Sequence, residues 1–249
     1  MGSSIITLVR FVAVALTAAA LTLGSAAAGV LDDVKQVKTI RLAVRDDAPP
    51  YSYKDKTGQP AGFMVDLCRA VVKHLADDLS LGEVKIVYVP VIAADRFDVI
   101  RDRKADLLCD PTSETLSRRA QVDFSIPTFV DGASMMVKSD GPSDFGALAG
   151  KKIGVLAGTT TEQGLRAGLE TFGLKVDVVL ARTHDEGLKM LDAGDITAYF
   201  ADRAILGFLV DRSSEPDKLR IADQYLTTEP YALALPREDS NFRLAIDGG

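Results

Sequence analysis

Between residues 39 and 109 short apolar runs alternate with amphipathic helical stretches, and beyond residue 150 the same alternation starts again. Residues 39–44 (TIRLAV) predict a strand. Residues 62–76 predict a helix, with Phe63, Leu67, Val71 and Leu75 on one stripe and Asp66, Arg69 and Lys73 opposite. A strand over 84–89, a helix over 93–101 and a strand over 105–109 follow. Strand–helix–strand repetition with connections this short restricts the chain to an α/β class with a parallel-type sheet. In such sheets ligands sit beyond the carboxyl ends of the strands, where Arg45 and the 109–118 loop both fall.

The second round begins after an extended stretch, 124–137, broken by Pro127 and Gly132. A strand over 152–156 leads into Ala157-Gly158-Thr159-Thr160-Thr161 and a helix ending at Gly173. A strand over 176–180 precedes Thr183-His184-Asp185-Glu186, which has capping-box spacing, and Gly194 closes that helix. A strand over 197–201 ends at Asp202, followed by a helix near 203–210, a polar linker over 211–218, a strand, and a second extended stretch, 225–235. Two α/β units joined by two extended crossings predict two lobes with a hinged cleft between them.

The polar residues at the strand ends are suited to an anion. In residues 106–119 (DLLCDPTSETLSRR) an apolar run ends in a turn at Pro111, followed by hydroxyls at Thr112, Ser113 and Thr115 and then by Arg118 and Arg119. Hydroxyls, backbone N–H groups and a guanidinium fork converge there on a carboxylate or phosphate; an ordinary helix cap with solvated arginines is the competing reading. In the second unit Gly158-Thr159-Thr160 forms a hydroxyl and N–H cradle without the lysine of a P-loop. His184 stands at a helix start, where the dipole favours neutral imidazole over a charged ring. Asp202 suits either a helix cap or a cation such as an ammonium group.

Residues 1–28 read as a secretory signal peptide: Arg10, the apolar run FVAVALTAAALTLG, and a small-residue cleavage site ending at Ala28. No cysteine follows the apolar run, so a lipoprotein is not expected. About 221 residues remain, enough for two modest domains. The net charge of −6, with no basic block, argues against nucleic acid or anionic membrane as a partner. Cys68 and Cys109 in an oxidising compartment fit a disulfide or two buried thiols equally. With only two histidines beside them they do not make a metal site, and no metal or cofactor is expected.

The segments Gly62-Phe63-Met64-Val65-Asp66-Leu67, Ser113 to Arg118, Asp123-Phe124-Ser125-Ile126-Pro127, Gly150-Lys151-Lys152-Ile153-Gly154-Val155 and Gly158-Thr159-Thr160 occur in this order. Together they resemble the bacterial extracellular solute-binding proteins of family 3, the polar amino-acid receptors of ABC importers, over about residues 38–247. The resemblance implies that Arg118 clamps the α-carboxylate with Ser113 and Thr160 nearby, flanked by Thr159. It implies that Asp202 takes the α-ammonium and that Tyr51 packs on the apolar part of the ligand. Arg45 and Arg96, with His184 on the opposite lobe, resemble the glutamate/aspartate-binding branch, where arginines meet the distal carboxylate. Unpaired arginines would penalise a basic ligand; structural salt bridges, for instance Arg96 with Asp95 or Asp98, are the alternative. Three departures stand out: Met64 replaces the usual acidic residue, and Pro111 and Ala93 replace expected hydroxyls.

The expected architecture is a type II periplasmic binding protein fold with a signal peptide over 1–28. Lobe 1 is expected over 30–130 plus 231–249, and lobe 2 over 131–230. The C-terminal helix starting near Asn241 is expected to be cut short relative to the family. The resemblance implies a monomeric periplasmic receptor that closes on an acidic amino acid and delivers it to a membrane permease, without catalysis. A carboxylate-processing dehydratase on the same fold and a sensory ligand-binding module are the rival readings.

Overall fold

The computed structural model describes residues 29–249, so the expected leader, 1–28, lies outside them. The first half runs through α1 (Val30–Val37), β1 (Thr39–Arg45), β2 (Asp47–Ala48), β3 (Ser52–Lys54), β4 (Pro60–Ala61) and α2 (Phe63–Asp78). It continues through β5 (Lys85–Val91), α3 (Arg96–Arg101), β6 (Leu107–Leu108), α4 (Leu116–Arg119), β7 (Asp123–Phe124) and β8 (Phe129–Asp131). The second half has β9 (Ala133–Lys138), β10 (Lys152–Leu156), α5 (Thr160–Thr171), β11 (Asp177–Ala181), α6 (His184–Ala193) and β12 (Ala198–Asp202). It ends with α7 (Arg203–Arg212), β13 (Leu219–Ile221), β14 (Glu229–Tyr231), β15 (Ala234–Leu235) and α8 (Ser240–Asp247).

Two five-stranded sheets form the two lobes. In the first the order is β5-β1-β6-β15-β7, with β1 parallel to β5 and β6, and with β15 antiparallel to β6 and β7. The second repeats the plan as β11-β10-β12-β9-β13, with β9 antiparallel to β12 and β13. The sheets are therefore mixed rather than parallel, because the crossing segments contribute their own strands to each. Between the lobes β8 pairs antiparallel with β14, Glu229 opposite Asp131, and this ribbon is the pair of hinge crossings.

Local chemistry explains where element boundaries depart from the sequence pattern. β5 runs through Pro90 to Val91, which an edge strand with one free side allows. α3 starts at Arg96, not Ala93, because the Asp95 carboxylate accepts the Ile92 N–H at 2.9 Å and holds the preceding turn. α2 buries Met64, Val65, Cys68, Val72 and Leu75, whereas Phe63 from the expected stripe is exposed. α1 was not legible as an element. It docks Val30 and Val34 into the core, beside Phe242 and Ile246 of α8. Asp239 ties the two together, accepting Val30 N–H at 2.7 Å and Phe242 N–H at 3.0 Å.

Of the two cysteine readings the structure has the disulfide: Cys68 in α2 is bonded to Cys109 just past β6, across 41 residues of chain. A loop of that size constrains the unfolded chain by about 4 kcal/mol on the chain-entropy model, with about 2–4 kcal/mol typical of measured bridges. The double replacement Cys68→Ala and Cys109→Ala should lower the denaturation midpoint accordingly in urea melts of the oxidised protein. A change below about 0.5 kcal/mol would mean that the bridge adds nothing to the packing around it.

Candidate functional site

The residues singled out at the strand ends come from six separate connections. In lobe 1, Arg45 is the last residue of β1, Arg96 the first of α3, and Arg118 lies in α4 after the loop that leaves β6. In lobe 2, Thr159 caps α5, His184 opens α6 and Asp202 ends β12. Arg45, Arg96, Arg118, Thr159, Thr160, His184 and Asp202 line one cavity between the lobes. Pro111 and the apolar wall of Leu156, Phe200 and Ile205 complete it.

Arg45 is buried and donates from Nε and Nη2 to Asp47 Oδ1 at 2.9 and 2.6 Å. Burial works against the Asp47 charge, but Arg45 and the His184 backbone N–H prevail and hold its carboxyl below the ordinary range. Asp47 Oδ2 accepts that N–H at 3.3 Å across the cleft, so the lobes touch here. His184 itself is enclosed. Burial first, and Arg45 second, push its pKa down to about 3, so the ring is neutral near pH 7. Its Nδ1 shares a hydrogen with Tyr199 Oη at 3.0 Å. Gly187 makes that pairing possible, because a Cβ there would meet Tyr199 Cε2 at 2.1 Å.

Arg96 pairs with neither Asp95 nor Asp98. Its Nε lies 3.0 Å from Thr112 Oγ1 and 3.5 Å from Asp110 Oδ2, and Nη1 donates to the Ala93 carbonyl. Burial, only partly offset by Asp110, presses its pKa down, with Arg118 and Arg45 adding to the pressure. A guanidinium nonetheless keeps its proton. Arg118 differs: it has no carboxylate partner among the described residues. Its Nη1 donates to the Ser113 carbonyl at 2.7 Å, and its guanidinium lies over the Phe97 ring at 5.3 Å. Arg118 is buried, so the solvated-arginine reading fails for it, although Thr115 does cap α4 by accepting its N–H at 3.2 Å.

The pairings correct the charge argument made from sequence. Asp47 and Asp110 already stand beside Arg45 and Arg96, so the cleft does not hold two uncompensated arginines. What it holds is a surplus of donors. Each guanidinium carries five N–H bonds. Among the described residues only five bonds are made by all three arginines together, two from Arg45, two from Arg96 and one from Arg118. Thr160 and Thr161, the first residues of α5, also present backbone N–H groups that no described carbonyl satisfies.

The opposite end of the cavity is acidic. Asp202 is half-buried on the cavity wall, with Oδ2 accepting Tyr231 Oη–H at 2.6 Å and Oδ1 accepting Thr161 Oγ1–H at 3.2 Å. Burial, and then the nearby Glu229 charge, push its pKa up to about 7. It occupies the N-cap position of α7 without bonding as a cap. Two expected residues are not on the cavity wall. Ser113 lies behind it, with its hydroxyl turned to Glu229. Tyr51 stands apart and donates to Asp131 Oδ2 at 2.8 Å. Asp47, Asp110, Thr161 and Glu229 were not singled out from sequence. Asp47 lies two residues from Arg45 and Asp110 one before Pro111, but nothing local marks Glu229, 116 residues from the serine it meets.

Residues 40–248 match the family model of the bacterial extracellular solute-binding proteins, family 3. The L-glutamate/L-aspartate-binding protein of Pseudomonas aeruginosa is 30% identical over 221 residues, covering 88% of this chain and 73% of its own. Among solved structures, a periplasmic binding protein from Brucella ovis with glutathione bound superposes with a TM-score of 0.80 at 26% identity, over 88% of this chain and 69% of that one. An ancestral arginine-binding protein bound to arginine gives 0.75 at 28% identity, over 85% and 90%. The sheet order, the hinge ribbon and the match over nearly every described residue lead to one assignment: the chain belongs to the bacterial extracellular solute-binding proteins, family 3.

Proposed function

We propose that this protein is the periplasmic receptor of an amino-acid ABC importer and closes on an acidic amino acid, glutamate or aspartate. The observation that carries this reading is the donor surplus. Three buried guanidiniums leave most of their N–H bonds without acceptors among the described residues, and a ligand with two carboxylates supplies oxygens for them. Arg118 and the Thr160 and Thr161 N–H groups take the α-carboxylate, and Asp202 takes the α-ammonium. Arg45 and Arg96 turn their remaining donors to the distal carboxylate, with the neutral His184 beside them. The relative named for glutamate and aspartate supports this choice, while the arginine-bound neighbour marks the nearest competing chemistry.

In this reading residues 30–130 plus 231–249 form lobe 1 and 131–230 lobe 2, and residues 1–28 direct export. The closed form is what a membrane permease receives. In this reading binding proceeds without turnover: the pKa of His184, the histidine on the cavity wall, is pressed down to about 3, which leaves its ring a weak base at pH 7. A thermal-shift screen of residues 29–249 against the amino acids and common dicarboxylates tests the assignment. A ligand at a hundred times its Kd adds about 2.7 kcal/mol of stability. A shift with glutamate or aspartate, and none with arginine or lysine, is the expected result. A shift with arginine alone overturns the specificity, and release of a product from any candidate acid overturns the receptor reading.

A further inference from the structure

A second cavity, of about 530 Å³, opens on lobe 2 and falls in the size range of small-molecule sites. It shares only Phe200 with the wall of the inter-lobe cleft. Phe172, just past α5, is 70% exposed, and its ring lies 5.8 Å from that of Phe145. Phe145 in turn meets Phe200 of β12 edge-on at 6.1 Å. The three rings make a ladder from solvent to a buried side chain, with Tyr225 on the wall beside them. A flat aromatic molecule extends such a ladder by the same kind of ring contact. The charges at this cavity leave one cation over. Asp144 accepts Ser143 Oγ–H at 2.9 Å and Ala147 N–H at 3.0 Å, and Asp223 lies 3.6 Å from Arg203 Nη2. Arg220, half-buried, has no carboxylate partner among the described residues. Its Nη2 donates to the carbonyls of Gly141 at 3.1 Å and Pro142 at 2.5 Å, which hold the guanidinium in place, while Nε and Nη1 bond to no described residue. A carboxylate is the planar anion that such a fork accepts.

We propose that this cavity is a second ligand site, separate from the cleft, that takes an aromatic carboxylate: the ring packs on the Phe172, Phe145 and Phe200 ladder and the carboxylate meets Arg220. Its wall comes from residues 134–226, so the site is complete within lobe 2 and does not depend on closure. It stands independently of what the cleft binds.

The chain contains no tryptophan, so the emission of an indole probe is read without any indole of the protein's own. Indole-3-acetate and its neutral analogue indole-3-acetamide are titrated into the wild type, Arg220→Gln, Phe172→Ala and Arg118→Ala, with fluorescence anisotropy as the readout. Saturable binding of indole-3-acetate to the wild type is expected, with the amide about tenfold weaker. Arg220→Gln should weaken the carboxylate about tenfold and bring it level with the amide. Phe172→Ala, at an exposed position that the fold tolerates, should weaken both probes about fivefold. The cleft also holds arginines, so Arg118→Ala and an excess of L-glutamate are each expected to leave the probe bound as before. Loss of the probe in Arg118→Ala, or its displacement by glutamate, would put it in the cleft and overturn the proposal. So would the absence of saturable binding, or an affinity unmoved by Arg220→Gln or by Phe172→Ala. The Arg118→Ala arm uses no glutamate, so a failure of the receptor reading and a failure of this inference are read separately.

Discussion

Arg118→Ala is expected to abolish binding of every amino acid, glutamate and glutamine alike. The α-carboxylate is common to all of them, and Arg118 is the one cleft arginine with no carboxylate partner among the described residues. Losing a buried charged partner in such a pair costs about 3–5 kcal/mol, a few hundred- to a few thousand-fold in Kd. Arg118→Lys should recover little, because an ammonium can neither reproduce the planar fork nor hold its place over Phe97. The substitution also removes the bond to the Ser113 carbonyl, so some stability should be lost with the affinity. Calorimetry on a variant whose circular dichroism and cooperative melt match the wild type separates the two. Near-native glutamate affinity in that variant would mean that the α-carboxylate binds elsewhere.

The part of this site that is close in sequence to the strands was legible, and the part assembled through space was not. Arg45 and Asp202 end apolar runs at the carboxyl edge of a parallel pair, and Thr160 and Arg118 stand in the connections that leave such an edge, so topology aims them at the cleft. The partners that set their chemistry lie elsewhere. Asp47 opens the two-residue β2, Asp110 is hidden in the loop after β6, and Glu229 arrives from the hinge, so the arginines looked unpaired until the chain was folded. The antiparallel strands escaped for a related reason. β15 and β7 are two residues long and carry no periodicity, and their place is set by the sheet that receives them. The α2 stripe was misjudged at Phe63 because the helix turns its Met64–Cys68 face inward, where Cys68 meets Cys109.

Asp202 makes the last prediction, because burial imposes opposite demands on its stability and its function. Its pKa stands near 7 in the folded protein, against an ordinary value of 3.8. Between these two values the folded state holds a proton that the unfolded state has lost, so its contribution lowers stability as pH rises toward 7. Above pH 7 the group is an ionised carboxylate in a buried, acidic setting, and that is the state an α-ammonium requires. Glutamate affinity should therefore be level above pH 7 and fall about tenfold per unit below it, with close to one proton released per ligand bound at pH 6. Calorimetry in two buffers of different ionisation enthalpy reads that proton directly. Asp202→Asn should lose about 3–5 kcal/mol of glutamate binding at pH 8 and flatten the pH profile. At the same pH the unliganded variant should melt higher than the wild type, since the charge that destabilises the fold is gone. A variant that binds more weakly but keeps the wild-type pH slope would assign the titration to another group. One that melts lower at pH 8 would show that the Tyr231 and Thr161 hydrogen bonds outweigh the burial of the charge.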